Sequence, residues 1–154
     1  MITTLDVKPD LAKSQNAEAG ASKFCPGCGH GMILKTLAKT IDELELKERT
    51  VFGCDIGCSL LSWNYMDLDT VQTHHGRTTP VIYGVTRANP GTVGIAYMGD
   101  GGGLAIGAQH LVNAATRSEN ILVIVANNTN YGMTGGQMSP TTMPGQKTET
   151  TPYG

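Results

Sequence analysis

Aromatic residues are scarce in this 154-residue chain, at 5% against 40% hydrophobic residues in all, so a packed interior must be built from Val, Ile, Leu, Ala and Met. A basic excess is missing too. The formal net charge is -2 and no stripe of Lys and Arg runs along the sequence, so nucleic acid is not an expected partner. No apolar run approaches the roughly 20 residues that span a bilayer, and no membrane partner is expected. The polar opening MITTLDVKPD lacks the apolar core of a secretory signal, and the expectation is a cytoplasmic protein. In that reducing setting the 4 cysteines are expected to be reduced, metal-bound or redox-active rather than paired as structural disulfides. What the chain has in quantity is glycine: 20 residues, gathered at turns rather than in a low-complexity tract.

The length suits one domain with a moderate core. Residues 1–22 carry little periodic hydrophobicity and read as an N-terminal arm that orders only against a partner. Residues 23–154 form the domain. Met32, Ile33, Leu37, Ile41 and Leu44 recur at helical spacing, and Thr50 to Gly53 begins a short strand. A short helix or irregular link over 60–66 and a strand over 70–73 follow. Residues 78–88 are long enough for a helix, with Pro80 tolerated in its first turn and Asn89-Pro90-Gly91 stopping it. Then come a strand over 92–98, a glycine-rich turn, a helix from about Leu104 to Arg117 and a strand over 121–126. This alternation predicts an α/β fold with an open, mostly parallel, doubly wound sheet. Residues 132–154, rich in Gly, Thr and Pro, are expected to add no strand or helix. The core would be thin on that side, so a partner covers it or the natural polypeptide continues.

Gly99-Asp100-Gly101 follows one apolar run and Asn127-Asn128 follows the next, one helix length later. In an open parallel sheet successive strands joined by a right-handed crossover present their carboxyl ends on one edge, so Asp100 and Asn128 are expected to meet. Their hard oxygens suit a Mg²⁺-type cation, which takes near-octahedral oxygen at roughly 2.1 Å and shares its shell with phosphates. The flanking glycines let backbone amides approach a bulky anion. A dinucleotide turn is the rival reading. Asp100 would repel an unshielded phosphate, however, and a bridging cation is the more economical account.

Cys25 and Cys28 are spaced C-x-x-C around Pro-Gly, and Cys54 and Cys58 are spaced C-x-x-x-C. Three outcomes compete: a structural zinc site using all four, a redox C-x-x-C, and an iron–sulfur cluster. His74-His75-Gly76-Arg77 ends a predicted strand on the same edge as Asp100. His110 lies within a predicted helix and reads as satisfied structure, and His30 follows the cysteine loop.

Gly99-Asp100-Gly101, then about 25 residues, then Asn127-Asn128 resembles the signature of thiamine diphosphate enzymes. The continuation Tyr131-Gly132-Met133-Thr134-Gly135-Gly136-Gln137, with Ser139-Pro140-Thr141-Thr142, resembles the β subunit of 2-oxoacid:ferredoxin oxidoreductases, nearest in wording to the 2-oxoisovalerate/2-oxoglutarate type. The likeness covers about residues 23–154. It implies Mg²⁺ on Asp100, Asn128 and Asn130, and thiamine diphosphate against Gly99, Asp100, Gly101, Gly102, Asn128, Asn130, Tyr131, Gly132, Met133 and Thr134. It implies a [4Fe–4S] cluster on Cys25, Cys28 and Cys58, with a fourth ligand from a further C-terminal region and Cys54 the weaker substitute. His75 and Arg77 are then expected beside the thiazolium or the diphosphate, Arg77 neutralising phosphate and His75 shuttling a proton. The Gly135-Gly136-Gln137 loop would line the reactive end.

The implied activity is coenzyme A-dependent oxidative decarboxylation of a 2-oxoacid, branched-chain favoured, with electrons passing to ferredoxin. No Glu stands in a recognisable pocket, so the carboxylate that activates the coenzyme is expected from another subunit. One departure is that Gly102 stands where many relatives carry a second acid, so no role for that acid carries over. The alternatives are another thiamine diphosphate enzyme, of transketolase-like or decarboxylase type, and a non-catalytic zinc-stabilised module.

Overall fold

The structure is a computed structural model that describes residues 12–16 and 22–154. Its centre is a 4-stranded, all-parallel sheet in the order β2-β1-β3-β4. The strands are β1 (Thr50–Cys54), β2 (Asp69–Gln72), β3 (Val93–Gly99) and β4 (Ile121–Ala126). The helices are α1 (Gly29–Glu43), α2 (Thr78–Ala88) and α3 (Ala108–Thr116). From β1 the chain moves outward to β2, then returns through α2 to β3 on the other flank of β1. The strand order therefore reverses between β1 and β3, and a crevice opens beyond their carboxyl ends.

Side chains of a strand alternate between the two faces of the sheet, and both faces here are covered. On one, Phe52, Cys54, Ile95 and Tyr97 pack under Leu34, Leu37, Ala38 and Ile41 of α1. On the other, Ala96 and Met98 pack against Ile82 of α2, which is fully buried, with Val51, Val123 and Val125 around them. Strands buried on both faces read as near-continuous apolar runs, as Val93–Gly99 does. Helix α2 lies close to the sheet because two glycines receive it. A Cβ on Gly53 would stand 2.7 Å from Ile82, and one on Gly94 would stand 2.5 Å from Thr86.

The expected helix over 78–88 is α2, residue for residue. Elsewhere the structure corrects the periodicity. The buried stripe of α1 is His30, Leu34, Leu37, Ala38 and Ile41, whereas Met32 and Leu44 are exposed. The helix expected from Leu104 begins earlier and is broken: Gly102–Ile106 form a π-helical turn, and α3 starts only after Gly107. The Gly107 N–H reaches back to the Gly102 carbonyl at 2.7 Å, because its Cα is pressed against the Gly76 backbone. Residues 132–154 do contribute pairing, since β5 (Asn130–Tyr131) and β6 (Gln137–Met138) form a small antiparallel ladder.

Part of the expected arm is folded onto the domain. Gln15 bridges to Met66, and buried Ser14 donates its N–H and its hydroxyl to Asp42 at 3.0 and 2.5 Å. The rest of that arm, 1–11 and 17–21, lies outside the described residues. Among the described residues no helix is long and apolar enough to cross a membrane.

Behind the sheet, α3 packs on α2, and the turn leaving α3 is clamped by charge. Arg87 donates two bonds to Glu119 at 2.8 Å, Arg117 donates a third at 2.8 Å, and the Arg117 guanidinium lies 5.0 Å over the Tyr83 ring. The Arg87 guanidinium, and then that of Arg117, holds the Glu119 carboxyl at about 2, well below its ordinary 4.5. A depressed carboxyl stabilises the fold above its unfolded pKa and loses that contribution as pH falls through the folded one. Glu119→Gln is therefore expected to flatten the acid limb of a thermal-unfolding profile between about pH 4.5 and pH 2. Added salt should shrink the difference, because the arginines are exposed. An unchanged acid limb would dismiss the clamp.

Candidate functional site

A cavity of about 440 Å³ lies in the crevice beyond β1 and β3, walled by the turn after β3, the loop after β4 and the exit of β1. All ten residues expected to hold the coenzyme line it: Gly99, Asp100, Gly101 and Gly102 on one side, Asn128, Asn130, Tyr131, Gly132, Met133 and Thr134 on the other. The register explains why. Gly99 pairs with Ala126 across β3 and β4, so the next residues of the two chains, Asp100 and Asn127-Asn128, leave the sheet side by side.

The oxygen arrangement at the cavity wall is specific. As placed, the Asn128 amide oxygen lies 2.8 Å from the Asn130 carbonyl oxygen and 3.2 Å from Asp100 Oδ1. In that orientation the amide oxygen faces two acceptors, a clash that the other orientation of the same amide removes. Turning the amide over would put its NH₂ between the other two, and a small divalent cation would do the same for all three. Neighbouring ligands of an octahedral Mg²⁺ are about 3.0 Å apart, given metal–oxygen bonds of about 2.1 Å. The observed spacings bracket that figure, so the donor set fits the ion. Asn130 adds a buried side-chain oxygen that has no partner.

Asp100 is held for this task. It is 1% exposed, and its Oδ2 accepts the Ser139 hydroxyl at 2.5 Å and the Thr141 hydroxyl at 2.6 Å, which leaves Oδ1 turned to Asn128. These two hydroxyls were visible in the sequence only as family wording, with no role attached. Thr129, between the two asparagines, sits at φ 61°, a costly conformation for a β-branched residue. It is fixed there by bonds from the Thr142 hydroxyl to its carbonyl, 2.6 Å, and from Gln146 to its own hydroxyl, 2.9 Å. Across the cavity the Tyr131 ring lies on the Gly101 backbone: a Cβ on Gly101 would stand 2.0 Å from the ring.

Three expectations are corrected in this region. His75 lines the cavity, but Arg77 does not; Arg77 is exposed beside Leu60 and Val81, and its guanidinium donates to the His75 and Ile106 carbonyls. Gly76, at φ 65° between them, turns the chain so that the two side chains leave on different sides. The cavity wall stops at Thr134, leaving Gly135, Gly136 and Gln137 outside it. His110 lies off the cavity, yet its Nε2 is buried without a partner rather than satisfied. The structure also brings in Asp55, which sequence reasoning passed over. It is fully buried behind Gly102, its Oδ1 accepts from the Gly76 N–H, and its Oδ2 has no partner. Burial pushes its carboxyl up, against the pull of the Gly76 N–H, the Thr78 hydroxyl and the His75 charge.

The cysteines divide. Cys54 belongs to the core beneath α1, bonded to the Ser62 hydroxyl, and burial pushes its thiol up to about 11. A site using all four cysteines is therefore not built here. Cys58 lines the cavity, near enough to Cys28 and Cys25 that their charges, after burial, raise its own thiol, while the Met133 N–H favours its thiolate. Among the described residues no trio of His, Cys, Asp and Glu closes on one point as for a single ion. Between this loop and the cavity stands His30, 7% exposed, bonded through Nδ1 to the Tyr97 hydroxyl and stacked on Phe24 at 4.8 Å. Burial lowers its pKa and keeps the ring neutral.

A crevice beyond the carboxyl ends of parallel strands, at the reversal of strand order, is where open α/β sheets bind their ligands. Residues 55–154 match the family model of the thiamine pyrophosphate enzyme C-terminal TPP-binding domain, and the chain belongs to that family. It is 44% identical over 134 residues to ketoisovalerate oxidoreductase subunit VorA of Methanothermobacter thermautotrophicus, covering 87% of this chain and 28% of that one. It is 37% identical to 2-oxoglutarate synthase subunit KorB of Archaeoglobus fulgidus, covering 96% of this chain and 55% of that one. A solved 2-oxoglutarate:ferredoxin oxidoreductase from Magnetococcus marinus, with 2-oxoglutarate, coenzyme A and succinyl-CoA bound, superposes with a TM-score of 0.87 at 33% identity. That match covers 97% of this chain and 51% of the other. The chain thus spans about half or less of the length of these relatives.

Thiol accessibility should follow the placement of the cysteines. In native protein stripped of metal, a maleimide is expected to modify exposed Cys25 first, half-buried Cys28 and Cys58 later, and Cys54 only on unfolding. Early labelling of Cys54, read by peptide mass, would contradict the core assignment.

Proposed function

We propose that this chain is the thiamine diphosphate-binding part of a 2-oxoacid:ferredoxin oxidoreductase. It holds Mg²⁺ on Asp100, Asn128 and the Asn130 carbonyl, and carries a [4Fe–4S] cluster on Cys25, Cys28 and Cys58. The observation that carries the reading is the convergence of the Asp100 carboxylate, the Asn128 side chain and Asn130 on one wall of the cavity. The relatives named for ketoisovalerate and 2-oxoglutarate oxidoreductases support the oxidoreductase assignment, as does the fold match. A branched-chain 2-oxoacid is the substrate class preferred, with a ketoisovalerate subunit matching at 44% over 134 residues and a 2-oxoglutarate subunit at 41% over 132.

When bound, thiamine diphosphate supplies the electron sink through which a 2-oxoacid loses CO₂. This chain's residues do the positioning. Asp100, braced by Ser139 and Thr141, would hold the cation beside the diphosphate. Gly101 and Gly102 let the turn approach that anion without side chains in the way. Tyr131 and Met133 wall the site against water, and His75, at the mouth, is placed to hold or release a proton. Cys58 stands on the same cavity wall and, with Cys25 and Cys28, would hold the cluster, which would supply one-electron chemistry. Other subunits supply the activating Glu, and coenzyme A and ferredoxin are the acyl and electron acceptors.

Calorimetry on the assembled complex tests the cation site. Wild type is expected to take up thiamine diphosphate only with Mg²⁺, and Asp100→Ala to lose that uptake. Ser139→Ala with Thr141→Val should raise the Mg²⁺ requirement by about 10–100-fold, the usual cost of freeing a metal ligand from its outer partners. Uptake that ignores Mg²⁺, or survives Asp100→Ala unchanged, would falsify the proposal. For the cluster, visible absorption of anaerobically purified complex should vanish in Cys25→Ala, Cys28→Ala or Cys58→Ala and persist in Cys54→Ala.

A further inference from the structure

Asp55 does not line the cavity, yet it is tied to both sides of it. Its own N–H donates to the Tyr97 carbonyl at 3.0 Å and its carbonyl accepts the Ser59 hydroxyl at 3.1 Å, so the residue is anchored to β3 and to the loop leading into Cys58. Its Oδ1 accepts the Gly76 N–H at 2.8 Å and the Thr78 hydroxyl at 3.2 Å, which fastens the turn that presents His75. Its Oδ2, fully buried, accepts nothing and points at the diphosphate turn: a Cβ built on Gly102 would stand 1.8 Å from it. The remaining contacts close a ring. Gly76 abuts Gly107, where a Cβ would stand 2.5 Å from the Gly107 nitrogen, and the Gly107 N–H bonds the Gly102 carbonyl at 2.7 Å.

An unpartnered carboxylate oxygen in the interior costs free energy, and a fold keeps it only where its position does something. Here it fills the volume that any side chain at position 102 would need.

We propose that Asp55 is a positioning residue of the coenzyme site. Lodged where a side chain of position 102 would lie, it locks the His75 turn against the diphosphate turn, and positions 55 and 102 can carry only one acid between them. Gly102 is glycine because the carboxylate reaches that volume from the end of β1. The inference rests on the coenzyme reading for the meaning of the two turns, but the steric coupling of the pair does not.

The test is a double-mutant cycle in the assembled complex with Mg²⁺ and thiamine diphosphate: Asp55→Gly, Gly102→Asp and the two together, with Asp55→Asn as the conservative variant. Gly102→Asp forces two acids into one volume and should weaken coenzyme binding by about tenfold. Asp55→Gly frees the His75 turn, and misplacement of that order lowers kcat by up to about a hundredfold while coenzyme Kd moves little. Asp55→Asn keeps the acceptor oxygen and should recover most of that kcat. The double variant should outperform the product of the singles by about tenfold. Additive effects would overturn the proposal, and so would an Asp55→Gly variant whose kcat is unchanged or falls only in step with its melting temperature. If wild type took up no coenzyme, the functional reading would fall by itself. The steric coupling would still be read from the melting temperatures of the four proteins, where additivity overturns it.

Discussion

The register between β3 and β4 is the constraint on which the site depends. With Gly99 opposite Ala126, the chain after β3 and the chain after β4 leave the sheet at the same height, and Asp100 reaches Asn128 without either backbone bending toward the other. A slip of one residue would turn the inward side chains of β4 to the opposite face and separate the oxygens. That register is held by burial on both faces: Ile124 and Ala126 face the α1 side, and Val123 and Val125 face α2. The apolar core thereby sets the spacing of a polar site that it meets at Ala126.

What the register brings together, the loops must keep apart by the correct distance. The Asn130 carbonyl and Asp100 Oδ1 stand 2.8 and 3.2 Å from the same atom of the Asn128 amide. They are held by hydroxyls: Ser139 and Thr141 on Asp100, Thr142 on the Thr129 carbonyl. Each comes from the stretch after β6, a region rich in threonine and poor in regular structure. Its short ladder and its hydroxyl bonds give it a fixed shape, and the strained φ of Thr129 is carried by those bonds. A loop poor in regular structure need not be flexible.

Much of this was legible in the sequence, and the parts that were not fail for definite reasons. Strand–turn–helix punctuation by Gly and Pro located α2 and the sheet, and the acid and amide after two apolar runs located the cavity. Periodicity misread α1 because a histidine and an alanine, His30 and Ala38, occupy buried positions while Met32 and Leu44 face outward. Residues 102–107 read as ordinary helix because nothing in their identity shows the backbone of Gly76 pressing on Gly107. Arg77 looked like a phosphate ligand beside His75 until the left-handed Gly76 sent the two side chains apart. Asp55 was invisible as a functional residue, since its importance lies in a contact with a glycine from another strand's exit.

The same geometry explains why the turns of this site are glycine. At Gly76, Gly102 and Gly107 the neighbour that excludes a Cβ is another part of the site: backbone in two cases and the Asp55 carboxylate in the third. Gly101 is excluded by the Tyr131 ring. The exits of β1, β2, β3 and β4 meet closely, Gly76 and Gly107 at backbone contact and the others through the Asp55 carboxylate and the Tyr131 ring. Such close contact leaves few independent ways to move. Displacing the His75 turn must displace Gly107 and then the Gly102 carbonyl, and a change beside Cys58 must pass through Asp55. Rigidity of that kind suits a reaction in which protein groups orient a coenzyme rather than act on the substrate themselves, because misplacement by about 1 Å can cost two orders of magnitude in rate.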